Sequence, residues 1–239
     1  MKSIISFVAM LIAMLALDFS LTGGDLLLQV YLKGLASVLF VLTGIFALCE
    51  RPKIRGRTGS YACFILLGLL FGFVGDVSMQ LADIKGDLCF IIGLVTFALG
   101  HIFYLAAFFK KSHFRWFNLL PTLTVIPLFL FAIPASGQFE FNPSFLFFAV
   151  IAYGVILTFM VGKSLSFTEF KGQPAFVRMT IAGAILFAIS DIILLFILFF
   201  KPVIALSQFD PVRLTLRFAG LLTYYPGQGL IALSLKKEP

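Results

Sequence analysis

The sequence predicts an all-α membrane protein, a bundle of about eight transmembrane helices with a possible parallel four-plus-four repeat. Of its 239 residues, 61% are hydrophobic and only 12% are charged. The mean hydropathy is +1.08, and a soluble domain of this size has too small a core to bury so much apolar surface. The apolar residues fall in stretches of about 20, the length that crosses a bilayer. We therefore expect residues 1–239 to form one integral-membrane domain.

The predicted spans follow from where each apolar stretch begins and ends. They are Ile4–Leu17, Leu26–Leu48, Tyr61–Leu81, Leu88–Phe109, Asn118–Ile133, Ser144–Leu165, Ala175–Phe200 and Val212–Leu235. The first follows Met1 and Lys2 as a signal peptide would, but no small-x-small cleavage site comes after it, so we expect an uncleaved span. Pro121 and Pro127 are expected to bend the fifth span.

Lysine and arginine in the loops predict the orientation of the bundle. The richer side holds Lys2, the Arg51–Arg57 loop, Lys110, Lys111, Arg115, Lys163, Lys171, Arg178, Lys236 and Lys237. The other side holds fewer basic residues, and aspartates near them offset their positive charge. The positive-inside rule then predicts that both termini are cytoplasmic, in the inner membrane if the source is a bacterium. Because the net charge of +7 lies in these loops, it indicates membrane orientation, and no nucleic-acid partner is expected.

Two aspartates lie inside predicted spans, Asp76 in the third and Asp191 in the seventh. A carboxylate near the centre of a membrane helix costs about 2.5–3.5 kcal/mol, which makes each of them a candidate functional residue. The surrounding pattern recurs at identical spacing, with Gly68, Gly75 and Asp76 matched by Gly183, Ser190 and Asp191. A parallel repeat predicts such a match, and chance similarity between apolar segments is the alternative.

The remaining polar residues of the spans form stripes at helical spacing. The stripes hold Gln29, Lys33 and Ser37; Asp76 and Gln80; Thr96, His101 and Tyr104; Ser190 and Asp191; and Arg217, Tyr224, Tyr225 and Gln228. Lipid offers no hydrogen bonds, so these stripes are expected to face one another. We therefore predict one internal polar cavity lined by spans two, three, four, seven and eight, with spans one, five and six packed outside it.

Several of these residues also have a purely structural interpretation. Lys33 is suited to an ion pair with either aspartate that holds the bundle together, and His101 to a hydrogen-bonded place in the core. Tyr224, Tyr225 and Gln228 are typical of residues that join helices in membranes. The aspartates are different, because each needs a partner and the spans offer a single nearby lysine.

Two carboxyl groups in a dry cavity do not both ionise readily, because desolvation and mutual repulsion disfavour a second negative charge. A neutral acid beside a carboxylate suits acid–base hydrolysis. A proton-coupled transporter of a small or amphiphilic substrate uses the same groups as a proton relay. The residues alone leave both functions open. The chain has only two histidines, which argues against a three-histidine metal site, and its three cysteines form no CxxC; no metal or other cofactor is expected.

Four segments carry a resemblance to a known family: GLLFGFVGDVSMQL, GLVTFALGHIFYLAAF, GAILFAISDIILLF and YYPGQGLIA. In this order they resemble the YhhN family of integral-membrane lysoplasmalogenases, over a region from Lys33 to Ala232. The resemblance implies hydrolysis of the vinyl-ether bond of lysoplasmalogens to a fatty aldehyde and glycerophospho-ethanolamine or -choline. It implies a lysophospholipid substrate within membrane lipid and no protein partner.

Applied to this sequence, that activity suggests roles for the polar stripes. Asp76 and Asp191 are the expected catalytic acid and base, in an order the sequence leaves open. Substrate-binding roles are expected for Lys33, Gln80, His101, Tyr104, Ser190, Arg217, Tyr224, Tyr225 and Gln228. Among these, Lys33 and Arg217 are the candidates to hold the phosphate.

Overall fold

The computed structural model is a bundle of eight long helices, described for residues 1–21, 25–51, 59–141, 144–170 and 172–238. The helices are α1 Lys2–Leu21, α2 Leu26–Cys49, α3 Ser60–Lys85, α4 Asp87–Lys111, α5 Trp116–Ser136, α6 Phe145–Glu169, α7 Pro174–Phe199 and α8 Pro211–Ser234. A short helix, Lys201–Ile204, precedes α8, and a 3-10 turn, Leu235–Lys237, follows it. The structure is 88% helical, with no strands among the described residues. The predicted all-α class is therefore confirmed.

Seven of these helices, α1 to α7, are long and apolar enough to span a membrane. The eighth predicted span is also present as a helix of 24 residues, Pro211–Ser234. At about 1.5 Å per residue it is long enough to cross a bilayer. Its composition is more polar, because it carries Arg213, Arg217, Gln228 and two tyrosines. This helix packs mainly against α7, α2 and α1, so protein rather than lipid surrounds much of its surface.

Two local features follow directly from the sequence. Gly86 is the single residue between α3 and α4. Its φ is +83°, a backbone conformation that favours glycine. Helix α3 continues to Lys85, one turn beyond the predicted end at Leu81, so the predicted turn from Asp83 is helical. In α5, a π-helical turn at Leu128–Ala132 follows Pro127, whose missing N–H interrupts the regular hydrogen bonding. Of the two prolines predicted to bend this span, Pro121 lies in the first turn of an α-helical segment, and Pro127 immediately precedes the π-helical turn.

Both chain termini lie at the same end of the bundle. The amino group of Met1 contacts the Glu50 carboxylate over 2.6 Å, and Lys236 Nζ contacts the same carboxylate over 2.7 Å. Glu238 pairs with Arg51 over 2.8 Å and with Lys111 over 2.9 Å. We call this set of ion pairs the terminal cluster. Most of the predicted basic loop, residues 52–58, and Lys171 lie outside the described residues.

The two halves of the bundle repeat the same close contact. A methyl group added at Gly100 of α4 would lie 3.2 Å from the carbonyl oxygen of Gly68 on α3. A methyl group added at Gly227 of α8 would lie 3.1 Å from the carbonyl oxygen of Gly183 on α7. Small residues therefore allow both helix pairs to approach closely. Gly68 and Gly183 are the residues matched in the sequence, so this packing agrees with the predicted repeat.

Candidate functional site

A cavity of about 200 Å³, which we call the polar cavity, opens among α1, α2, α3, α4, α7 and α8, and its wall combines charged and polar side chains with leucines and isoleucines. Seven of the predicted site residues line it: Lys33, Asp76, Gln80, Ser190, Asp191, Arg217 and Tyr224. The two aspartates therefore face one common space. The lining also includes Leu21 at the end of α1 and Gln29 near the start of α2. The cavity thus lies in the half of the bundle remote from the terminal cluster.

Asp76 is buried, and hydroxyl groups from two other helices contact its carboxyl group. Tyr224 Oη on α8 donates to Asp76 Oδ2 over 2.8 Å. Ser37 Oγ on α2 lies 2.6 Å from the same oxygen. The other carboxyl oxygen, Oδ1, is 4.0 Å from Lys33 Nζ. This lysine supplies a nearby positive charge at the limit of ion-pair distance, while its own side chain stays partly exposed to the cavity.

The hydroxyl of Ser37 links Asp76 to the backbone of α2. Ser37 Oγ is also 2.7 Å from the carbonyl oxygen of Lys33, which can only accept a hydrogen bond. The hydroxyl carries one hydrogen, so both short contacts are satisfied together only when Asp76 itself holds a proton. When Asp76 is ionised, Ser37 must turn its hydrogen from the carbonyl to the carboxylate. The local geometry therefore accommodates either protonation state.

Asp191 is paired with an imidazole. His101 Nδ1 lies 2.7 Å from the carbonyl oxygen of Phe97, so Nδ1 must carry a hydrogen. His101 Nε2 then points toward Asp191 Oδ2 at 3.4 Å, and this nitrogen is buried without a hydrogen-bond partner among the described residues. The imidazole and the carboxyl group are therefore close neighbours in the buried part of the site.

A tyrosine outside the predicted polar stripes also contacts Asp191. Tyr153 Oη on α6 donates to Asp191 Oδ2 over 2.7 Å. The expectation that span one packs outside the polar cavity is wrong, since Leu17 and Leu21 of α1 line it. No described residue of α5 or α6 is part of that lining, although α6 supplies the Tyr153 hydroxyl to Asp191. Tyr153 lies in an otherwise apolar stretch and belongs to no polar stripe. Leucines carry no polar signal at all.

The four other predicted site residues are buried behind the cavity wall. Tyr104 Oη donates to Gln228 Oε1, and Gln228 Nε2 donates to Tyr224 Oη over 3.4 Å. Because Tyr224 in turn donates to Asp76, the three residues form a directed chain of hydrogen bonds that ends at the carboxyl group. These side chains orient Asp76 from behind. Tyr225 Oη contacts the Lys33 carbonyl oxygen over 3.5 Å, and His101 contacts Asp191 as described above.

The outer part of the cavity is polar. Gln80 Nε2 donates to Asp83 Oδ2 over 3.0 Å and to Gln29 Oε1 over 3.3 Å. Arg217 lines the same region from α8. With Lys33, it places two cationic side chains around the space that leads to the aspartates. Such a space is suited to an anionic or zwitterionic group.

Comparisons with known proteins identify the family. Neither the curated proteins nor the solved structures give a match to the chain. The model of the YhhN family matches residues 28–235, which include both aspartates and the residues that contact them. Because the match covers most of the chain, this multi-pass membrane protein belongs to the YhhN family.

Proposed function

We propose that this protein is a membrane-embedded hydrolase that cleaves the vinyl-ether bond of lysoplasmalogens. The products are a fatty aldehyde and glycerophospho-ethanolamine or -choline. One observation carries the proposal: Asp76 and Asp191 line the same cavity. Membership of the YhhN family supports it, since the motifs that carry the family resemblance include both aspartates.

Vinyl-ether hydrolysis needs an acid that donates a proton and a group that stabilises the oxocarbenium ion. A proton adds to the carbon beta to the ether oxygen. Water then attacks the oxocarbenium ion at the carbon bound to oxygen and loses a proton to a carboxylate, which gives a hemiacetal. The hemiacetal then collapses, its hydroxyl losing a proton as the ether oxygen gains one, to give aldehyde and alcohol. One water is consumed and no net proton. A pair of carboxyl groups suits this sequence, as it does in glycosidases, where a similar cation forms.

The head group of the substrate is assigned to the polar cavity. Lys33 and Arg217 supply positive charge for the phosphate. Gln80 and Ser190 line the same space and offer neutral hydrogen-bonding groups to the glycerol or the head group. If both termini are cytoplasmic, as positive-inside predicts, the cavity belongs to the extracytoplasmic half of the membrane.

The test is a comparison of two lipids with purified protein. Aldehyde release from a lysoplasmalogen, without hydrolysis of the corresponding acyl lysophospholipid, is the expected result. Uptake that depends on a pH gradient in sealed vesicles, with the solute chemically unchanged, would instead indicate a proton-coupled transporter. If neither activity is found, the aspartates have a structural or lipid-binding role.

A further inference from the structure

A second cavity, of about 280 Å³, lies between α5, α6 and α7. We call it the apolar cavity. Its wall is formed almost entirely by aliphatic and aromatic side chains, including Val125, Phe129, Val150, Leu157, Leu195 and Phe196. Leu128 and Ile192, on its border, are about half exposed, at 49% and 52%. Because these two side chains are exposed on the outer surface of α5 and α7, the cavity is open to the side of the bundle.

Helix α7 separates the two cavities. Ile193, Leu194 and Ile197 face the polar cavity. Ala188, Ile192 and Leu195 face the apolar one. Asp191 lines both. The polar cavity, which contains the cationic side chains of Lys33 and Arg217, therefore meets the apolar cavity at the carboxyl group of Asp191.

We propose that the apolar cavity binds the aliphatic chain of a single-chain lipid whose head group occupies the polar cavity. The inference rests on the proposed function in one respect, the identity of the bond that joins the aliphatic chain to the head group. Its structural argument is independent of that bond, because only an amphiphile has a charged part and a long apolar part that satisfy both spaces at once.

This placement gives the substrate a direction. In a vinyl ether the carbon that receives the proton lies on the aliphatic side, and the oxygen lies on the head-group side. A chain in the apolar cavity brings this carbon to Asp191, whose carboxyl group lies beside the imidazole of His101. The oxygen and its adjacent carbon then extend toward Asp76, close to Lys33. Asp191 with His101 is accordingly the proton donor, and Asp76 faces the developing cation.

An ordinary membrane lipid is the competing occupant, because any groove open to the bilayer contacts acyl chains. The two occupants differ in their selectivity. A chain site joined to the polar cavity binds a lysophospholipid saturably and excludes a lipid whose second chain has no place there. A boundary groove accepts diacyl and single-chain lipids alike.

The first experiment uses two matched substitutions on α7. Ala188→Leu places a larger side chain in the apolar cavity, whereas Ala182→Leu makes the same change at an exposed position of the same helix. For each, kcat/KM is measured with a long-chain and a short-chain lysoplasmalogen. We expect Ala188→Leu to lower the ratio of long-chain to short-chain kcat/KM about tenfold, and Ala182→Leu to leave it at the wild-type value. An unchanged ratio in Ala188→Leu overturns the proposal.

The second experiment does not depend on turnover or on any variant. A saturated alkyl-ether lysophospholipid, which lacks the vinyl-ether bond, is prepared with a photoreactive group near the end of its chain. We expect it to label residues of the apolar cavity, such as Phe129 and Leu157, and to be displaced by unlabelled lysophospholipid but not by diacyl phospholipid. Labelling spread over the lipid-facing helices, or equal displacement by both lipids, overturns the proposal. Labelling in the cavity without aldehyde release would retain the chain site and reject the hydrolase.

Discussion

His101 Nε2 lies 3.4 Å from Asp191 Oδ2, while Nδ1 of the same ring is held by the carbonyl oxygen of Phe97 over 2.7 Å. The backbone contact fixes which nitrogen faces the acid. Replacing His101 with Asn retains an N–H group near the carbonyl and removes the ring nitrogen that faces Asp191. We expect kcat to fall about 10²- to 10⁴-fold with little change in KM.

The check is steady-state kinetics across a range of pH, with His113→Asn as the control. His113 is the other histidine of the chain and its side chain is exposed, so its replacement should change neither kcat nor the pH profile. Retention of most wild-type kcat in His101→Asn, in protein that remains folded, would show that the imidazole serves packing alone.

The Tyr153 hydroxyl donates to the carboxyl group of Asp191 over 2.7 Å, so Tyr153→Phe removes a single hydrogen bond from this acid. A typical hydrogen bond contributes about 0.5–1.5 kcal/mol, and we therefore expect kcat to fall about two- to tenfold. The matched control is Tyr31→Phe, because Tyr31 is 73% exposed on α2. Equal kcat values for the two variants would contradict a role for this hydroxyl.

Arg217 is expected to bind the phosphate of the substrate. Arg217→Gln should raise KM for a phosphate-bearing lysoplasmalogen about tenfold, because one charge-assisted contact is lost. It should leave KM for the corresponding alkenylglycerol, which has no phosphate, almost unchanged. Arg178→Gln is the control, since Arg178 lies on the exposed surface at the start of α7. An equal rise in KM for both substrates would show a general disturbance of the cavity.

The terminal cluster is expected to make the thermal stability of the protein decrease at acid pH. Lys236 foremost, with the Met1 amino group and Ser3, lowers the pKa of Glu50 below its ordinary value. A depressed carboxyl pKa contributes stability above the ordinary pKa of glutamate and loses it as the pH falls toward the folded-state pKa. Glu50→Gln should therefore lower Tm at neutral pH, by an amount that shrinks below the ordinary pKa of glutamate. A Tm difference independent of pH in thermal unfolding would contradict the ion pairs.

The sequence predicts the membrane helices well because their signal is a property of many residues at once. Each apolar stretch has the length of a bilayer, and the structure contains a helix at every predicted span. The ends are less well predicted. Lys85 extends α3 beyond the predicted end because a charged residue in the last turn of a helix costs little at the membrane surface.

The site is predicted in part, for a physical reason. A polar group in lipid must find a partner, so polar stripes identify most of the helices that surround the cavity. This logic brings Asp76 and Asp191 to one cavity. It does not find Tyr153, which belongs to no polar stripe, nor the apolar cavity, whose residues differ in no local way from those that face lipid. Only the packing of three helices distinguishes that cavity.

The central claim is that both carboxyl groups act on the same bond. The most direct measurement is aldehyde release from a lysoplasmalogen by the wild type, Asp76→Asn and Asp191→Asn, with Tm recorded for each protein. We predict that each single substitution abolishes release while Tm stays close to that of the wild type, because asparagine keeps the size and polarity of the side chain but cannot exchange a proton. Wild-type rates of aldehyde release in either folded variant would contradict the account.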